Sequence, residues 1–356
     1  MSYFLIGTDE AGYGPFIGPL AVSATLWEVD RKIPSEKIYE ALSPVVGVSA
    51  KEALIAVTDS KKIYKTSLYK SLSGIASMEK SVLGMLESLR GKRFCEEGGK
   101  KISAGEISRE GNVNSCDLLT FPVCPADVFF QFSGEVCGRD VCGQPWGKME
   151  FPFPLANSQA EILCTAEILR EKMEQQKIYL REVCSDLILP QRFNRETEKM
   201  GSKGVFLMEV TLRLAARLYR QITQQRKSWD VHIFCDKIGG RNFYFSPLME
   251  FFPGSNFQII QESREVSEYR HDEERGTLRI RFQAKGESNI AVALSSLVSK
   301  YQRELFMYGF NRWWAERIPG LRPTEGYPQD ARRFLEEVCC TAEKLGISRE
   351  VFWRNR

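Results

Sequence analysis

The feature that most constrains this chain is a loop dense in glycine and proline, set between two apolar runs. Residues 3–8 are mostly apolar and end at Asp9-Glu10, and residues 19–27 form a second run suited to a strand. Between them stands Ala11-Gly12-Tyr13-Gly14-Pro15-Phe16-Ile17-Gly18-Pro19. Glycine opens left-handed backbone conformations and proline fixes φ, so this density specifies a shaped loop and excludes a helix. The pattern predicts two strands, the first of which delivers a pair of carboxylates at its end.

Further along, residues 54–57 suit a short strand that runs into Thr58-Asp59-Ser60-Lys61-Lys62, and residues 64–90 read as helix. Residues 91–155 then hold many Gly and Pro and no long periodic segment, with Cys95, Cys116, Cys124, Cys137 and Cys142 among them. That change of character predicts an insertion at about 91–157. Helical periodicity returns over 158–184. Residues 205–222 carry Val210, Leu214 and Leu218 on one side and Arg213, Arg217 and Arg220 on another, the signature of an amphipathic helix. Val231-His232-Ile233-Phe234-Cys235 reads as a buried strand ending at Asp236, with further strands at 256–261 and 278–283. A second strong helix is expected over 288–309, with Ser288 as its N-cap and Ile290, Leu294, Leu297, Val298, Tyr301 and Leu305 on one face. Residues 330–345 suit a last helix. The expected division is a main domain over 1–318, carrying the insertion, and a C-terminal helical extension over 319–356.

Composition enters as a set of exclusions. With 43% hydrophobic and 27% charged residues among 356, the chain is neither disordered nor collagen-like. Lys+Arg is 49 against Asp+Glu 46, a net +3, so affinity for nucleic acid must come from local clustering of charge. Such a cluster exists: residues 191–227 hold nine Lys/Arg against three Glu. Ten cysteines, unevenly spaced, do not make a disulfide scaffold, and Cys137 and Cys142 with Cys116 and Cys124 fit no common zinc spacing. No apolar run approaches the ~20 residues of a membrane helix. The N-terminal residues lack a basic leader and reach a carboxylate at once, so a cytoplasmic protein without membrane association is expected.

The chemistry is expected where acids meet. Asp9-Glu10 and Asp236 end strands, and Glu287 follows Lys285-Gly286 just before a helix. In α/β sheets, functional groups gather at the carboxyl ends of strands. Carboxylates gathered there repel one another unless a cation neutralises them, and hard oxygen ligands favour Mg²⁺ or Mn²⁺. Neither His232 nor His271 adjoins these acids, and His232, alternating within a strand, reads as structural. A two-cation site of this kind suits phosphodiester chemistry. Beside it, Gly239-Gly240-Arg241 reads either as a tight turn or as exposed amides and a guanidinium that would bind a phosphate, a surface that Arg264 and Arg270 near Tyr269 would continue. Trp313-Trp314 suit the core.

The motifs also carry a resemblance. Gly7-Thr8-Asp9-Glu10-Ala11-Gly12-Tyr13-Gly14-Pro15-Phe16-Ile17-Gly18-Pro19-Leu20 resembles the opening signature of type 2 ribonucleases H, the ribonuclease HII/HIII group. Asp59-Ser60-Lys61-Lys62 is similar to their second motif, and Phe234-Cys235-Asp236 to the strand with their third acid. Lys285-Gly286-Glu287-Ser288 and the following Ala291–Glu304 resemble their helix motif with its fourth acid, and Gly326-Tyr327 resembles their C-terminal Gly-Tyr. The five stand in the family's order from residue 7 to residue 327.

That resemblance implies a ribonuclease H-like mixed central sheet with helices on both faces. It implies cleavage of RNA in an RNA/DNA hybrid or ribonucleotide-containing duplex, leaving 3′-hydroxyl and 5′-phosphate ends. It implies Asp9, Glu10, Asp236 and Glu287 as catalytic metal ligands for Mg²⁺ or Mn²⁺. Gly12, Tyr13 and Gly14 would approach the nucleic acid by their backbone, Lys61 would contact phosphate and Tyr327 would pack against the ribose. Departures accompany the match. The family usually has Arg or Lys where Tyr13 stands and Asp where Glu287 stands, the residues after Asp236 differ, and the span from Glu10 to Asp236 is longer.

Overall fold

The structure, a computed structural model, describes residues 2–64, 68, 71–93, 140–284 and 286–355, with the side chains of 90–93 and Glu287 excepted. The segment 94–139, which holds most of the expected insertion and Cys95, Cys116, Cys124 and Cys137, lies outside the described residues.

Strands β1 (Ser2–Ala11) and β2 (Leu20–Asp30) are the two apolar runs, paired antiparallel across the glycine-rich loop, with Asp9 opposite Ser23. Among the described residues the short β3 (Val46–Gly47) and β4 (Ile55–Ala56) pair only with each other. Strand β5 (Ile178–Ile188) lies antiparallel on β2. Strand β6 (Trp229–Asp236) runs parallel to β1 on its other side, and β9 (Gly276–Gln283) runs parallel to β6. Strands β8 (Val266–Glu273) and β7 (Gln258–Glu262) complete the sheet antiparallel, in the order β5-β2-β1-β6-β9-β8-β7. The expected mixed sheet is therefore present.

Helices cover both faces, because β1 alternates its side chains between two cores. Tyr3 and Leu5 join a core built with α1 (Ile38–Leu42), α3 (Ser73–Arg93), α4 (Gln159–Gln176), α8 (Ile290–Ala315) and α9 (Pro328–Lys344). Phe4 and Ile6 join the opposite core, with α5 (Pro190–Met200), α6 (Lys203–Gln225) and α7 (Phe245–Phe251). The short α2 (Ser60–Ile63) carries Lys61.

Several expectations change. The helix expected over 158–184 stops at Gln176, and residues 178–184 belong to β5. No glycine or proline marks the stop, since Lys177 itself takes the left-handed conformation at φ 53. Within β5, Arg181 and Glu182 interrupt the apolar signal, but Glu182 is held by Arg217 of α6. Strand β8 was not anticipated: its charged Glu268, Arg270 and Asp272 alternate with buried Ser267, Tyr269 and His271. The N-cap of α8 is Asn289, whose side chain accepts from Ala291 N at 2.9 Å, one residue later than the expected Ser288. Helix α8 is also buried nearly all round, not on one face. Its polar Ser295, Ser296, Ser299, Gln302, Arg303 and Glu304 are enclosed too, and their hydrogen bonds tie it to β1 and β2. Trp313 and Trp314 are buried as expected.

Candidate active site

The site begins with register. In the parallel pair, Thr8 of β1 stands opposite Cys235 of β6, so Asp9 and Asp236 leave neighbouring strands one step later at the same end of the sheet. Glu10 follows Asp9 in the strand. Helix α8 closes the site from one face: Ser295 Oγ donates to Gly7 O at 2.8 Å and Ser299 Oγ to Asp9 O at 3.0 Å. The backbone carrying the acid is therefore fixed from behind.

Asp9 is only 8% exposed. Burial pushes its carboxyl well above the usual carboxylate range, and the charges of Glu10 and Asp236 push the same way, against a hydrogen bond from Ser296. The three acids thus share one electrostatic environment. Ser296 connects it to the second motif, since its hydroxyl lies 3.4 Å from that of Ser60, next to Lys61. Lys61 is exposed, and its backbone N–H is capped by Asp59 at 2.9 Å. Asp236 receives the Gly286 N–H at 3.5 Å, which places the Gly286–Ser288 turn beside it. Glu287 lies in that turn, with its side chain outside the described residues.

The donor chemistry of Asp9, Glu10 and Asp236 suits a hard divalent cation. Among the described residues, however, no group of three or more His, Cys, Asp or Glu side chains is arranged to hold a metal ion. The three described acids alone do not complete such a site, and Glu287 is the remaining expected donor.

The loop residues fall into different roles. Gly12 has φ +90, and a Cβ there would stand 2.6 Å from Arg303 Nε and 2.6 Å from Pro19 O. Internal packing thus already requires a glycine at this position. Gly14 is exposed with nothing near its missing Cβ. The Tyr13 ring lies under Lys203 Nζ, 4.5 Å from its centroid. Burial and the neighbouring Glu10 raise the Tyr13 hydroxyl pKa. Gly326 O accepts from Phe16 N at 2.7 Å and Ile17 N at 3.2 Å, docking the Gly326-Tyr327 segment on the same loop. Tyr327 itself is half exposed.

Other cations are committed elsewhere. Arg213 pairs with Asp186 at 2.8 Å and Glu209 at 3.0 Å, Arg217 pairs with Glu182, and Arg270 pairs with Asp272. Arg213 and Arg217 of the α6 stripe therefore neutralise acids of β5. His232 sits 3.0 Å from Asp230, away from the acids, in keeping with a structural role. Sequence reasoning missed Lys203, which lies 190 residues from Tyr13 and carries no local signal, and Ser296, which reads as an ordinary helix residue.

These features define an α/β protein with an acid cluster at the carboxyl ends of adjacent parallel strands. No protein-family model and no curated protein matches the chain. Solved structures do. Ribonuclease HII from Archaeoglobus fulgidus, determined in complex with PCNA, is similar at 15% identity and TM-score 0.38, over 99% of this chain and 94% of that one. Ribonuclease H2 from Pyrococcus horikoshii OT3 is similar at 13% identity and TM-score 0.40, over 98% and 92%. Bst-RNase HIII in complex with Mn²⁺ is similar at 13% identity and TM-score 0.39, over 99% of this chain and 66% of that one. Among the described residues no helix is long and apolar enough to cross a membrane.

Proposed function

We propose that this chain is a divalent-metal-dependent endonuclease that cuts RNA within RNA/DNA hybrids, leaving 3′-hydroxyl and 5′-phosphate ends. The observation that carries the reading is that Asp9 and Asp236 leave adjacent parallel strands at the same end, one step past the Thr8–Cys235 pair, with Glu10 raising the same buried carboxyl. Asp9, Glu10, Asp236 and Glu287 are the residues that would hold Mg²⁺ or Mn²⁺. When bound, such ions activate a water and neutralise charge on the leaving oxygen of the phosphodiester. The chain's own contribution is orientation. Ser299 and Ser295 fix the β1 backbone, and Ser296 orients the Asp9 carboxylate. Tyr327, half exposed and docked through Gly326 on the Gly12–Pro19 loop, would pack against the sugar, and the exposed Lys61 would offer a charge to a phosphate.

Cleavage of an end-labelled RNA/DNA hybrid in Mn²⁺ or Mg²⁺, beside the Asp9→Asn variant, tests this. The expected result is cleavage by the native chain and its loss, by a factor of a hundred or more as for other essential electrostatic groups, in the variant. Equal activity from both proteins overturns it. One observation favours a second reading, a nucleic-acid-binding protein that keeps the fold without turnover: Tyr13 stands where type 2 ribonucleases H usually carry Arg or Lys, and the span from Glu10 to Asp236 is longer. Binding of hybrid without cleavage in either ion supports that reading.

A further inference from the structure

Next to the acid cluster lies a cleft of about 600 Å³ lined by Tyr13, Lys203, Ile238, Gly239, Gly240, Arg241 and their neighbours. Its two walls start at the catalytic acids: Tyr13 is three residues beyond Glu10, and Ile238 two beyond Asp236. Lys203 and Arg241 are its charged residues, and no acid lines it. Among the described residues neither the Lys203 ammonium nor the Arg241 guanidinium makes an ion pair, unlike Arg213 and Arg217 on the same helix as Lys203.

The cleft is built, not incidental. Lys237 braces the loop, donating to Asn242 Oδ1 at 3.0 Å, Ser267 Oγ at 3.2 Å and Ser263 O. Tyr244 closes the same loop, accepting from Ile238 N at 3.2 Å and donating to Arg241 O at 3.0 Å. Held this way, Gly239 at φ +58 and Gly240 at φ +76 are exposed, with open space where a Cβ would be. On the facing wall, the Tyr13 ring supports the Lys203 ammonium. Phe243, 67% exposed, stands at the rim. Fixed backbone without side chains, two opposed cations and an aromatic rim together match the requirements of a sugar–phosphate backbone.

We propose that this cleft seats the nucleic-acid backbone flanking the cleaved linkage, Lys203 and Arg241 each taking a phosphate from opposite walls. Lys203, resting on Tyr13, supplies from a distant helix a cation that the loop itself does not carry. The inference rests on the nuclease reading for the position of the flank, but it is tested without turnover. Binding of a fluorescent RNA/DNA hybrid to the full chain is measured by anisotropy in EDTA over a series of salt concentrations. Lys203→Ala and Arg241→Ala should each weaken binding and flatten the dependence of log K on log salt by about 0.9, one phosphate contact apiece. The double variant should lose both, and Lys203→Arg should keep the native slope. A double variant with native affinity and slope overturns the proposal. Cleavage by the native chain combined with unchanged binding in the double variant removes the cleft and leaves the nuclease. Altered slopes without cleavage do the reverse.

Discussion

Gly7 of β1 and Ala291 of α8 touch backbone to backbone: a Cβ on Gly7 would stand 2.1 Å from the Ala291 carbonyl carbon and 2.3 Å from Val292 N. This contact sets the distance between sheet and helix two residues before Asp9. It also allows Ser295 to reach Gly7 O and Thr25 Oγ1 to reach Ala291 O, both at 2.8 Å. The acid cluster inherits its position from the absence of one methyl group.

Gly7→Ala is therefore expected to destabilise the fold by at least the ~1–3 kcal/mol of an overpacked core, because backbone rather than a flexible side chain must give way. Urea denaturation followed by circular dichroism measures this. A variant of native stability would mean that α8 can move outward freely and does not fix the placement of Asp9.

The protonation of Asp9 gives a prediction with a definite sign. Burial, then Glu10, and more weakly Asp236, raise its carboxyl in the folded chain above the unfolded value. As pH rises from the unfolded carboxyl's titration toward the raised folded one, unfolding releases a proton, so stability falls across that window. Without metal, Asp9→Asn removes the ionisation and should raise the thermal midpoint at neutral pH. The gain should shrink at acid pH, where the native carboxyl is protonated in both states. Melts of both proteins in EDTA from acid to neutral pH check this, and a gain independent of pH would contradict it.

Divalent ions should act on the same repulsion from the other direction. If Mg²⁺ or Mn²⁺ binds among the acids of the folded chain only, ion at a hundred times its dissociation constant stabilises by about 2.7 kcal/mol. EDTA should reverse the shift, and Asp236→Asn should diminish it. Calorimetric scans with and without ion decide the matter, and identical shifts in native and variant proteins would place any bound ion elsewhere.

Much of this arrangement was legible in the sequence because it is local. An apolar run ending in Asp9-Glu10, another ending in Asp236, and a loop that only glycine and proline explain all carry their signal within a few residues. What the sequence hid is non-local. Strand β5 follows α4 with no breaker residue, and its Glu182 becomes intelligible only against Arg217. Strand β8 presents charges on one face because only its other face is buried. Gly12 looked like a residue freed for a ligand, whereas its packing against Arg303 and Pro19 already demands it. The partner of Tyr13 comes from the helix whose Arg213 and Arg217 pair with Asp186 and Glu182, and Lys203 stands at its start, outside that stripe.

Glu79 was equally unremarkable in the sequence, yet it organises the far side of the α8 core. Fully buried, its carboxylate accepts from Leu155 N at 2.7 Å, Ala156 N at 2.8 Å, Asn157 N at 2.9 Å, Asn157 Nδ2 at 2.9 Å and Tyr301 Oη at 2.9 Å. It thereby ties α3, the segment entering α4, and α8 to one another. Burial, and after it the same carboxylate, raise the Tyr301 hydroxyl's pKa, keeping it a donor. Glu79→Ala leaves several buried donors without an acceptor, each costing about 1–3 kcal/mol, so a loss of at least ~3 kcal/mol is expected. Glu79→Gln keeps one acceptor oxygen but turns an NH₂ toward N–H groups, and should fall between Ala and the native residue. Equilibrium unfolding of the three proteins gives the order. A Gln variant as stable as the native chain would show that the carboxylate's second oxygen contributes nothing, and that α3 and α8 are held together by apolar packing alone.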